Sequence, residues 1–215
     1  MKYKYIIYDM DGTVLDTLSD LTDAVNHSFR QFSQPEVSRE DVRKAIGNGA
    51  AVLIKKCLPE ACPEDLYKEV LAYYKDWYAA HSRIKTAPYP GIEELNRKLL
   101  GEGCKLAIVS NKPHEAVQEL AAVFFPGVLE LAIGESAAVR RKPWPDSLLC
   151  AVEKMGAAKE ECVYIGDSET DIQTAANAGL DCISVAWGFR PEEELSAAGA
   201  SKIVHSAEEL YEALS

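Results

Sequence analysis

Short apolar runs alternate with longer amphipathic segments along most of this sequence, and that alternation limits the chain to few folds. The runs are rich in β-branched and aromatic residues, which predicts buried strands, and the segments between them have helical spacing. Strands that alternate with helices form a parallel sheet with all carboxyl ends at one edge. We therefore predict an α/β fold with a Rossmann-like parallel sheet. The predicted strands are Tyr5–Tyr8, Leu106–Val109, Val128–Ile133, Cys162–Ile165, Cys182–Val185 and Ile203–Val204.

The segment from residue 15 to residue 86 interrupts this alternation. Its first apolar residues, such as Leu21, Val25 and Phe29, recur at the spacing of one helix face. An aromatic stripe further along the segment predicts packing within a helical bundle. A stretch containing proline and glycine then marks a linker back to the α/β pattern. The predicted domains are an α/β core of residues 1–14 and 87–215 and an all-helical cap of residues 15–86.

The charge balance bears on the partners that the chain can bind. It has 34 acidic residues against 23 lysines and arginines, which gives a net charge of −11. Nucleic-acid binding needs a basic face, so we expect no nucleic acid polymer as a partner. We find neither a signal peptide nor an apolar run that could span a bilayer, and therefore expect no membrane partner and a cytoplasmic location. The oligomeric state stays open between a monomer and a homodimer.

The cysteines do not have the spacing of a metal or redox motif, because no pair forms a C-x-x-C sequence. Most lie in apolar segments, where a thiol behaves as a small apolar side chain. We expect free, reduced, buried thiols, with a zinc or disulfide site as the less favoured alternative. The six are Cys57, Cys62, Cys104, Cys150, Cys162 and Cys182.

Polar residues follow four of the predicted strands at the point where each strand ends. Because the carboxyl ends of parallel strands meet at one edge, side chains from separate parts of the sequence should collect there. Convergence of this kind indicates an active site. The residues are Asp9 and Asp11 after the first strand, Ser110 after the second, Lys142 after the third, and Asp167 and Asp171 after the fourth.

The types of these residues suit phosphoryl transfer. The aspartates supply hard oxygens of the kind that Mg²⁺ prefers. A hydroxyl from Ser110 and an ammonium from Lys142 suit a phosphate group. One carboxylate can attack phosphorus, and a second can exchange a proton with the leaving oxygen and then with water.

Each residue taken alone also has a purely structural interpretation. Ser110 is typical of a helix cap, Lys142 of a solvated basic turn, and Asp167 of an N-cap. Asp171 would complement the dipole of a helix in its first turn. All four strand ends carry residues that suit the same chemistry, and this favours one active site over four separate structural roles.

These residues resemble, in type and order, the four motifs of the haloacid dehalogenase superfamily. Residues 9–14, with the sequence Asp-Met-Asp-Gly-Thr-Val, resemble the first motif, and Val109–Asn111 resemble the second. Lys142 resembles the third, and Gly166–Asp167 with Asp171 resemble the fourth. The resemblance extends over essentially the whole chain. It implies a sheet whose first strand is central, with the second and fourth predicted strands beside it.

The resemblance implies catalytic roles for four residues. Asp9 would be the nucleophile that forms an aspartyl-phosphate, and Asp11 would be the general acid and base. Ser110 and Lys142 would hold the phosphoryl group. The dehalogenases that named the superfamily lack the second acid of the first motif, so the presence of Asp11 favours phosphoryl chemistry over dehalogenation.

The same resemblance implies a magnesium site. Asp9, the main-chain carbonyl of Asp11 and the carboxylate of Asp167 would bind Mg²⁺. Asp171 would belong to the same metal site and orient it.

Further binding residues are expected in the first two motifs and in the cap. Gly12 and Asn111 are candidates for contact with the phosphate. The loop Gly47–Gly49 is the best candidate for a segment that closes over the site, because its glycines permit close backbone approach. We therefore expect Asn48 and Gly49 to contact the substrate, and an ordinary helix break is the alternative.

The helical insert resembles the cap of the phosphoglycolate phosphatase and β-phosphoglucomutase branch. Asn111–Pro113, Lys142–Pro145 and Gly188–Pro191 most resemble the phosphoglycolate phosphatases. This implies a Mg²⁺-dependent phosphatase acting on a small phosphorylated metabolite, with phosphoglycolate as the leading substrate.

Other activities compete with that prediction. A sugar-phosphate mutase would return the phosphoryl group to substrate rather than to water, and a pyrophosphatase-like activity would use the same core. A catalytically silent binding protein would lack the motif residues that are present here. A signalling receiver domain would be shorter and would carry no helical insert after the first strand.

Overall fold

The computed structural model describes residues 1–137 and 139–215. Within them the chain forms two compact units. One unit consists of Met1–Leu15 and Pro88–Ser215, and the other of Asp16–Ala87. The alternating pattern of the sequence falls in the first unit, and the helical segment falls in the second.

Parallel strands form the centre of the first unit. In chain order the strands are β1 (Tyr5–Tyr8), β2 (Leu15–Asp16), β3 (Ala87–Pro88), β4 (Lys105–Pro113), β5 (Leu131–Glu135), β6 (Cys162–Gly166), β7 (Asp181–Val185) and β8 (Ile203–Val204). The main sheet has the order β5-β4-β1-β6-β7-β8. The short strands β2 and β3 lie outside it, where the chain passes between the two units. The predicted α/β fold class is confirmed.

Helices connect these strands and make up the second unit. Those of the second unit are α1 (Leu18–Gln31), α2 (Arg39–Ala45), α3 (Gly49–Cys57) and α4 (Glu64–His81). Those of the first unit are α5 (Ile92–Gly101), α6 (His114–Phe124), α7 (Asp146–Lys154), α8 (Glu169–Ala178), α9 (Glu192–Ala197) and α10 (Ala207–Leu214).

Strand β1 is central, between β4 and β6, as the family resemblance implies. Tyr8 at its end is aligned with Ile108 of β4 and Ile165 of β6, so the three strands reach the same edge together. Successive side chains of β1 enter opposite layers, because a strand alternates its faces. Ile6 packs with residues of α5, α6 and α10, whereas Ile7 packs with residues of α7 and α8.

Strand β4 is longer than the sequence predicts. The apolar run ends at Val109, but the strand continues to Pro113, with a register shift against β5 between these two residues. Ser110 and Asn111 are buried in this extension although they are polar. The apolar pattern stops at Val109 because the residues after it contact the site instead of the hydrophobic core.

The second unit is a bundle with its own core. Val25 and Phe29 of α1 are fully buried, as is Val70 of α4, and the predicted packing role holds for Tyr74 and Tyr78, which are buried and stacked on each other. The sequence did not reveal the role of the buried Asp20. Its carboxylate accepts hydrogen bonds from the main-chain N–H groups of Lys85 and Thr86, which holds the segment after α4 against α1.

All six cysteines are free, as predicted, although half of them are partly exposed. The buried ones are Cys57, Cys104 and Cys162, and the partly exposed ones are Cys62, Cys150 and Cys182. Across the two described stretches of the chain, we find no helix with the length and apolar character needed to cross a membrane.

Candidate active site

Asp9 and Asp11 lie at the carboxyl end of the central strand. The Asp9 main-chain N–H donates to the carbonyl of Ile165, which continues the pairing of β1 with β6 by one residue. Gly12 then turns the chain with a φ of +86°, and its N–H donates to the carbonyl oxygen of Leu15. This turn leaves Asp9 buried and Asp11 partly exposed, both at the end of β1.

Three buried carboxylates meet beside this strand end. Oxygens of Asp9, Asp167 and Asp171 all lie within 4.8 Å of one another. Asp167 directly follows β6, and Asp171 lies in the first turn of α8. Residues from two strand ends and one helix therefore form a single acidic cluster, which is costly without a cation.

Lys142 supplies the positive charge of the cluster. Its Nζ lies 2.9 Å from Asp9 Oδ1 and donates to Asp171 Oδ1 at 2.7 Å. It also donates to the hydroxyl oxygen of Tyr164 at 2.9 Å, and that hydroxyl donates in turn to Asp171. The side chain of Lys142 is 2% exposed, so its charge acts on the carboxylates with little screening by water.

Asn111 holds the main chain of Lys142. Its Oδ1 accepts from the Lys142 N–H at 2.8 Å, and its Nδ2 donates to the Lys142 carbonyl at 3.1 Å. The Lys142–Pro143 peptide bond is cis. The two hydrogen bonds of the Asn111 side chain fix the loop that carries the lysine to β4.

Asp167 is fixed by main-chain and hydroxyl donors. The Phe189 N–H donates to Oδ2 at 2.6 Å, and Thr13 Oγ1 donates to Oδ1 at 3.3 Å. Two glycines make room for this carboxylate. A Cβ at Gly12 or at Gly188 would lie 2.3 Å from an atom of Asp167, so neither position accommodates a side chain without displacing it.

Asp171 has a structural bond in addition to its contact with the lysine. Ser168, not Asp167, is the N-cap of α8, so the interpretation of Asp167 as a helix cap is wrong. Ser168 and Asp171 form a capping box, in which Ser168 Oγ donates to Asp171 Oδ2 at 2.6 Å. The start of α8 and the position of Lys142 therefore depend on the same carboxylate.

A second lysine contacts the partly exposed acid. Lys112 Nζ lies 3.0 Å from Asp11 Oδ1, and the two side chains are 4% and 14% exposed. The main-chain N–H of Lys112 donates to Ser110 Oγ at 3.3 Å. Ser110 is buried on β4 and so does not cap a helix, which rules out its structural interpretation.

Burial dominates the electrostatics of the acidic cluster. It raises the pKa of Asp9 to about 7, an effect that Lys142 opposes and Asp171 increases. Burial and the carboxylates of Asp171 and Asp9 also raise the pKa of Asp167 well above its usual range. Burial lowers the pKa of Lys142, but its carboxylate neighbours outweigh that effect and the net change is upward. Lys142 is therefore charged, and the cluster still has an unfavourable excess of negative charge.

The residues present fit a divalent cation of the magnesium type. Asp9 Oδ1 is buried and, despite its ion pair with Lys142, has no hydrogen bond of good geometry. Asp9, Asp167 and Asp171 each offer a carboxylate oxygen to one set of hard donors, which suits Mg²⁺. A cation would also offset the repulsion that raises the pKa of Asp167.

The raised pKa of Asp9 predicts how the stability of the metal-free protein depends on pH. Ionisation of a carboxyl whose folded pKa exceeds its unfolded pKa costs folding free energy, so its penalty grows between about pH 4 and about 7. We expect Asp9→Asn to be more stable than the unmodified protein at pH 8 in a chelator, and this gain to vanish near pH 4. One pKa unit corresponds to about 1.4 kcal/mol, so roughly 4 kcal/mol is the upper limit.

Urea denaturation at several pH values measures this difference. Asp65→Asn is the control, because the Asp65 side chain is 96% exposed. A stability gain of Asp9→Asn that does not change with pH would contradict the prediction.

The first unit brings most of the predicted site residues together. They are Asp9, Asp11, Gly12, Ser110, Asn111, Lys142, Asp167 and Asp171. Asn48 and Gly49 belong to the second unit, where Asn48 is the N-cap of α3 and Gly49 has a φ of +80°. Their contact with substrate stays a prediction.

Two side chains and one main-chain N–H group of the site had no role predicted from the sequence. Tyr164 was not singled out. Lys112 and Phe189 appeared only within Asn111–Pro113 and Gly188–Pro191, the segments that resemble the phosphoglycolate phosphatases. A tyrosine in a strand that is buried on both faces needs a hydrogen-bond partner, and this is the signal that could have indicated Tyr164. The N–H of Phe189 is a main-chain group, for which no residue type gives a signal.

Comparison with known proteins agrees with this geometry. A family model described as haloacid dehalogenase-like hydrolase matches residues 6–185. A phosphoglycolate phosphatase of Vibrio parahaemolyticus is 33% identical over 97% of this chain and 95% of its own length. One from Pseudomonas putida is 30% identical over 94% of this chain and 76% of its own length.

Solved structures show the same similarity. A candidate phosphoglycolate phosphatase from Lactobacillus delbrueckii subsp. bulgaricus has a TM-score of 0.94 and 44% identity, over 100% of this chain and 99% of its own. These relatives confirm the prediction of a phosphatase. The family model extends from β1 to β7 and includes every site residue of the first unit from Asp9 to Asp171, and the chain therefore belongs to the haloacid dehalogenase-like hydrolase family.

Proposed function

We propose that this protein is a Mg²⁺-dependent phosphatase that hydrolyses a small phosphomonoester similar to phosphoglycolate through an aspartyl-phosphate on Asp9. The observation that carries the proposal is the position of Asp9. It is a buried carboxylate at the end of the central strand, with an ammonium 2.9 Å from one oxygen. A second carboxylate, Asp11, lies two residues away.

In the first step a carboxylate oxygen of Asp9 attacks phosphorus, and the bond from phosphorus to the leaving oxygen breaks. The nucleophile must be ionised, and Lys142 favours that form against the effect of burial. Asp11 donates a proton to the leaving oxygen, which would otherwise depart as a poor, strongly basic leaving group.

In the second step water attacks the phosphorus of the aspartyl-phosphate. The bond between phosphorus and Asp9 breaks, and the proton of the attacking water passes to Asp11. This returns both residues to their starting states and releases inorganic phosphate. The same carboxyl group thus serves as acid and then as base.

The phosphoryl oxygens are bound by Ser110 and Lys142, with Gly12 and Asn111 beside them. Asp9, the carbonyl of Asp11 and Asp167 would hold Mg²⁺, with Asp171 orienting this group. The ion would supply positive charge to the phosphoryl oxygens as negative charge develops on them. Phosphomonoester hydrolysis is among the slowest uncatalysed reactions, and general acid help supplies only about 10²–10⁴ of the acceleration, so this electrostatic contribution is large.

The substrate is proposed from the relatives. Those from Vibrio parahaemolyticus and Pseudomonas putida carry the name phosphoglycolate phosphatase, and they match nearly the whole of this chain. The site residues of the first unit act on the phosphoryl group alone, so they do not themselves identify the leaving alcohol. Phosphoglycolate is therefore the first substrate to test.

Release of inorganic phosphate from a panel of small phosphomonoesters with Mg²⁺ tests this proposal. The panel includes phosphoglycolate, hexose phosphates and pyrophosphate, and the variants are Asp9→Asn and the exposed control Asp65→Asn. We expect one preferred substrate, at least 10⁴-fold loss of activity in Asp9→Asn, and no loss in Asp65→Asn. Release that survives in Asp9→Asn would contradict the aspartyl-phosphate, and interconversion of hexose phosphates without phosphate release would indicate a mutase.

A further inference from the structure

Two buried lysines contact the acids of the site, and they contact different ones. Lys142 bonds to Asp171 and lies against Asp9, the proposed nucleophile. Lys112 forms an ion pair with Asp11, the proposed general acid and base. The proposed mechanism gives a role to the first lysine and leaves the second without one.

The side chain of Lys112 is held in a fixed position beside the site. Its side chain is 4% exposed, and a buried ammonium persists in a protein only with a partner for its charge. Its main chain belongs to β4, the direct neighbour of β1, and its N–H donates to Ser110 Oγ. The charged group of Lys112 therefore projects from a rigid strand beside the site to the carboxylate of Asp11.

The distance to Asp11 is that of an ion pair in direct contact. Lys112 Nζ and Asp11 Oδ1 are 3.0 Å apart. Asp11 follows the end of β1 and is more exposed than the other acids of the site, and its ion pair with Lys112 restricts the rotamer of its side chain. Proton transfer needs hydrogen-bond reach to the leaving oxygen and then to water, and a misplacement of about 1 Å can cost about 10²-fold in rate.

We propose that Lys112 is a positioning residue that fixes the carboxylate of Asp11 for both proton transfers of the phosphatase reaction. The proposal rests on the proposed function, because it assumes an aspartyl-phosphate intermediate. Lys112 acts through Asp11 and not on the phosphoryl group, which Lys142 and Ser110 bind. Loss of Lys112 should therefore impair the steps that move a proton and spare the binding and transfer of the phosphoryl group.

The two steps differ in their need for a proton when the leaving group is p-nitrophenolate. This anion leaves without protonation, so phosphorylation of Asp9 from p-nitrophenyl phosphate does not require Asp11. Attack by water on the aspartyl-phosphate still requires Asp11 to accept the proton. With an alkyl phosphate such as phosphoglycolate, both steps require it.

The experiment is rapid-mix kinetics of Lys112→Met with p-nitrophenyl phosphate and Mg²⁺. We expect a burst of about one p-nitrophenolate per enzyme at close to the normal rate, followed by turnover about 10²-fold slower. Intact-mass measurement of acid-quenched enzyme should show one added phosphoryl group. With phosphoglycolate we expect slow turnover without accumulation of phosphoenzyme.

Four further variants make the result specific. Asp11→Asn should behave like Lys112→Met, and the double variant should be no slower than Asp11→Asn alone, because the two residues act as one unit. Lys105→Met is the matched control, since Lys105 is an exposed lysine at the start of the same strand. If Lys112→Met does not fold, Lys112→Gln is measured instead. It removes the charge but keeps a neutral donor, so we expect the same difference between burst and turnover with a smaller loss.

The possible failures are distinguishable. Equal slowing of the burst and of turnover, or losses that add in the double variant, would overturn the role of Lys112. If the unmodified protein hydrolyses substrate without phosphoenzyme and Asp9→Asn remains active, the proposed function itself fails.

Discussion

Lys142→Met is expected to reduce kcat/KM by at least 10³-fold and to destabilise the fold. Loss of one preorganised donor to a developing negative charge typically costs about 10²–10³-fold, and this ammonium also favours the ionised nucleophile. Removal also leaves Asp171, whose side chain is fully buried, without its cation. Breaking a buried ion pair in this way typically costs about 3–5 kcal/mol in the free energy of unfolding.

Phosphate release from the preferred substrate and urea denaturation measure the two effects. Lys154→Met is the control, because Lys154 is exposed in the last turn of α7. Lys142→Arg retains the charge but cannot reproduce the three contacts of the ammonium, so we expect it to recover stability more than activity. Activity of Lys142→Met within tenfold of the unmodified protein would show that this charge is not needed.

Gly188→Ala is expected to cause the second largest loss, through the position of Asp167. The added methyl group would lie 2.3 Å from Asp167 Cβ and 2.5 Å from the carbonyl oxygen of Gly12. Because one of these contacts is main chain, the carboxylate of Asp167 has to move. We expect roughly 10²-fold lower activity and a higher Mg²⁺ concentration for half-maximal rate.

Titration of the rate with Mg²⁺ separates this effect from a general loss of fold. Gly101→Ala is the matched control, because a Cβ at Gly101, in the last turn of α5, meets no atom within 4 Å. That control should have normal activity and equal or greater stability, since replacing a helical glycine restricts the unfolded chain. An unchanged Mg²⁺ dependence in Gly188→Ala would contradict the argument.

The sequence predicts the acids of the site well because their chemistry and their topology agree. Asp9 and Asp167 stand directly after apolar strands, and parallel pairing brings such positions to one edge. No knowledge of side-chain geometry is needed for that step. The fold class follows from the same alternation of strands and helices.

The supporting contacts could not be predicted, because they depend on geometry between distant segments. The hydrogen bonds from both side-chain groups of Asn111 to the main chain of Lys142 are one example, and its expected place near the phosphate stays a prediction. The partner of Lys112 is an acid about a hundred residues earlier in the chain. Strand β4 was expected to end at Val109, because polar residues follow it. Polar residues occur both where a strand ends and where a strand continues into a site, and the sequence alone does not distinguish the two.

The capping box of α8 has a consequence for how this enzyme can vary. Asp171 completes the capping box at the start of α8, and it is also the closest carboxylate to the ammonium of Lys142. A substitution at this position therefore changes both the contact with Lys142 and the start of α8. Neither the reactive groups nor the stability of the fold can change here alone. Changes in substrate preference are therefore far less constrained in segments that share no side chain with this junction, and the sequence can diversify there while the reaction stays the same.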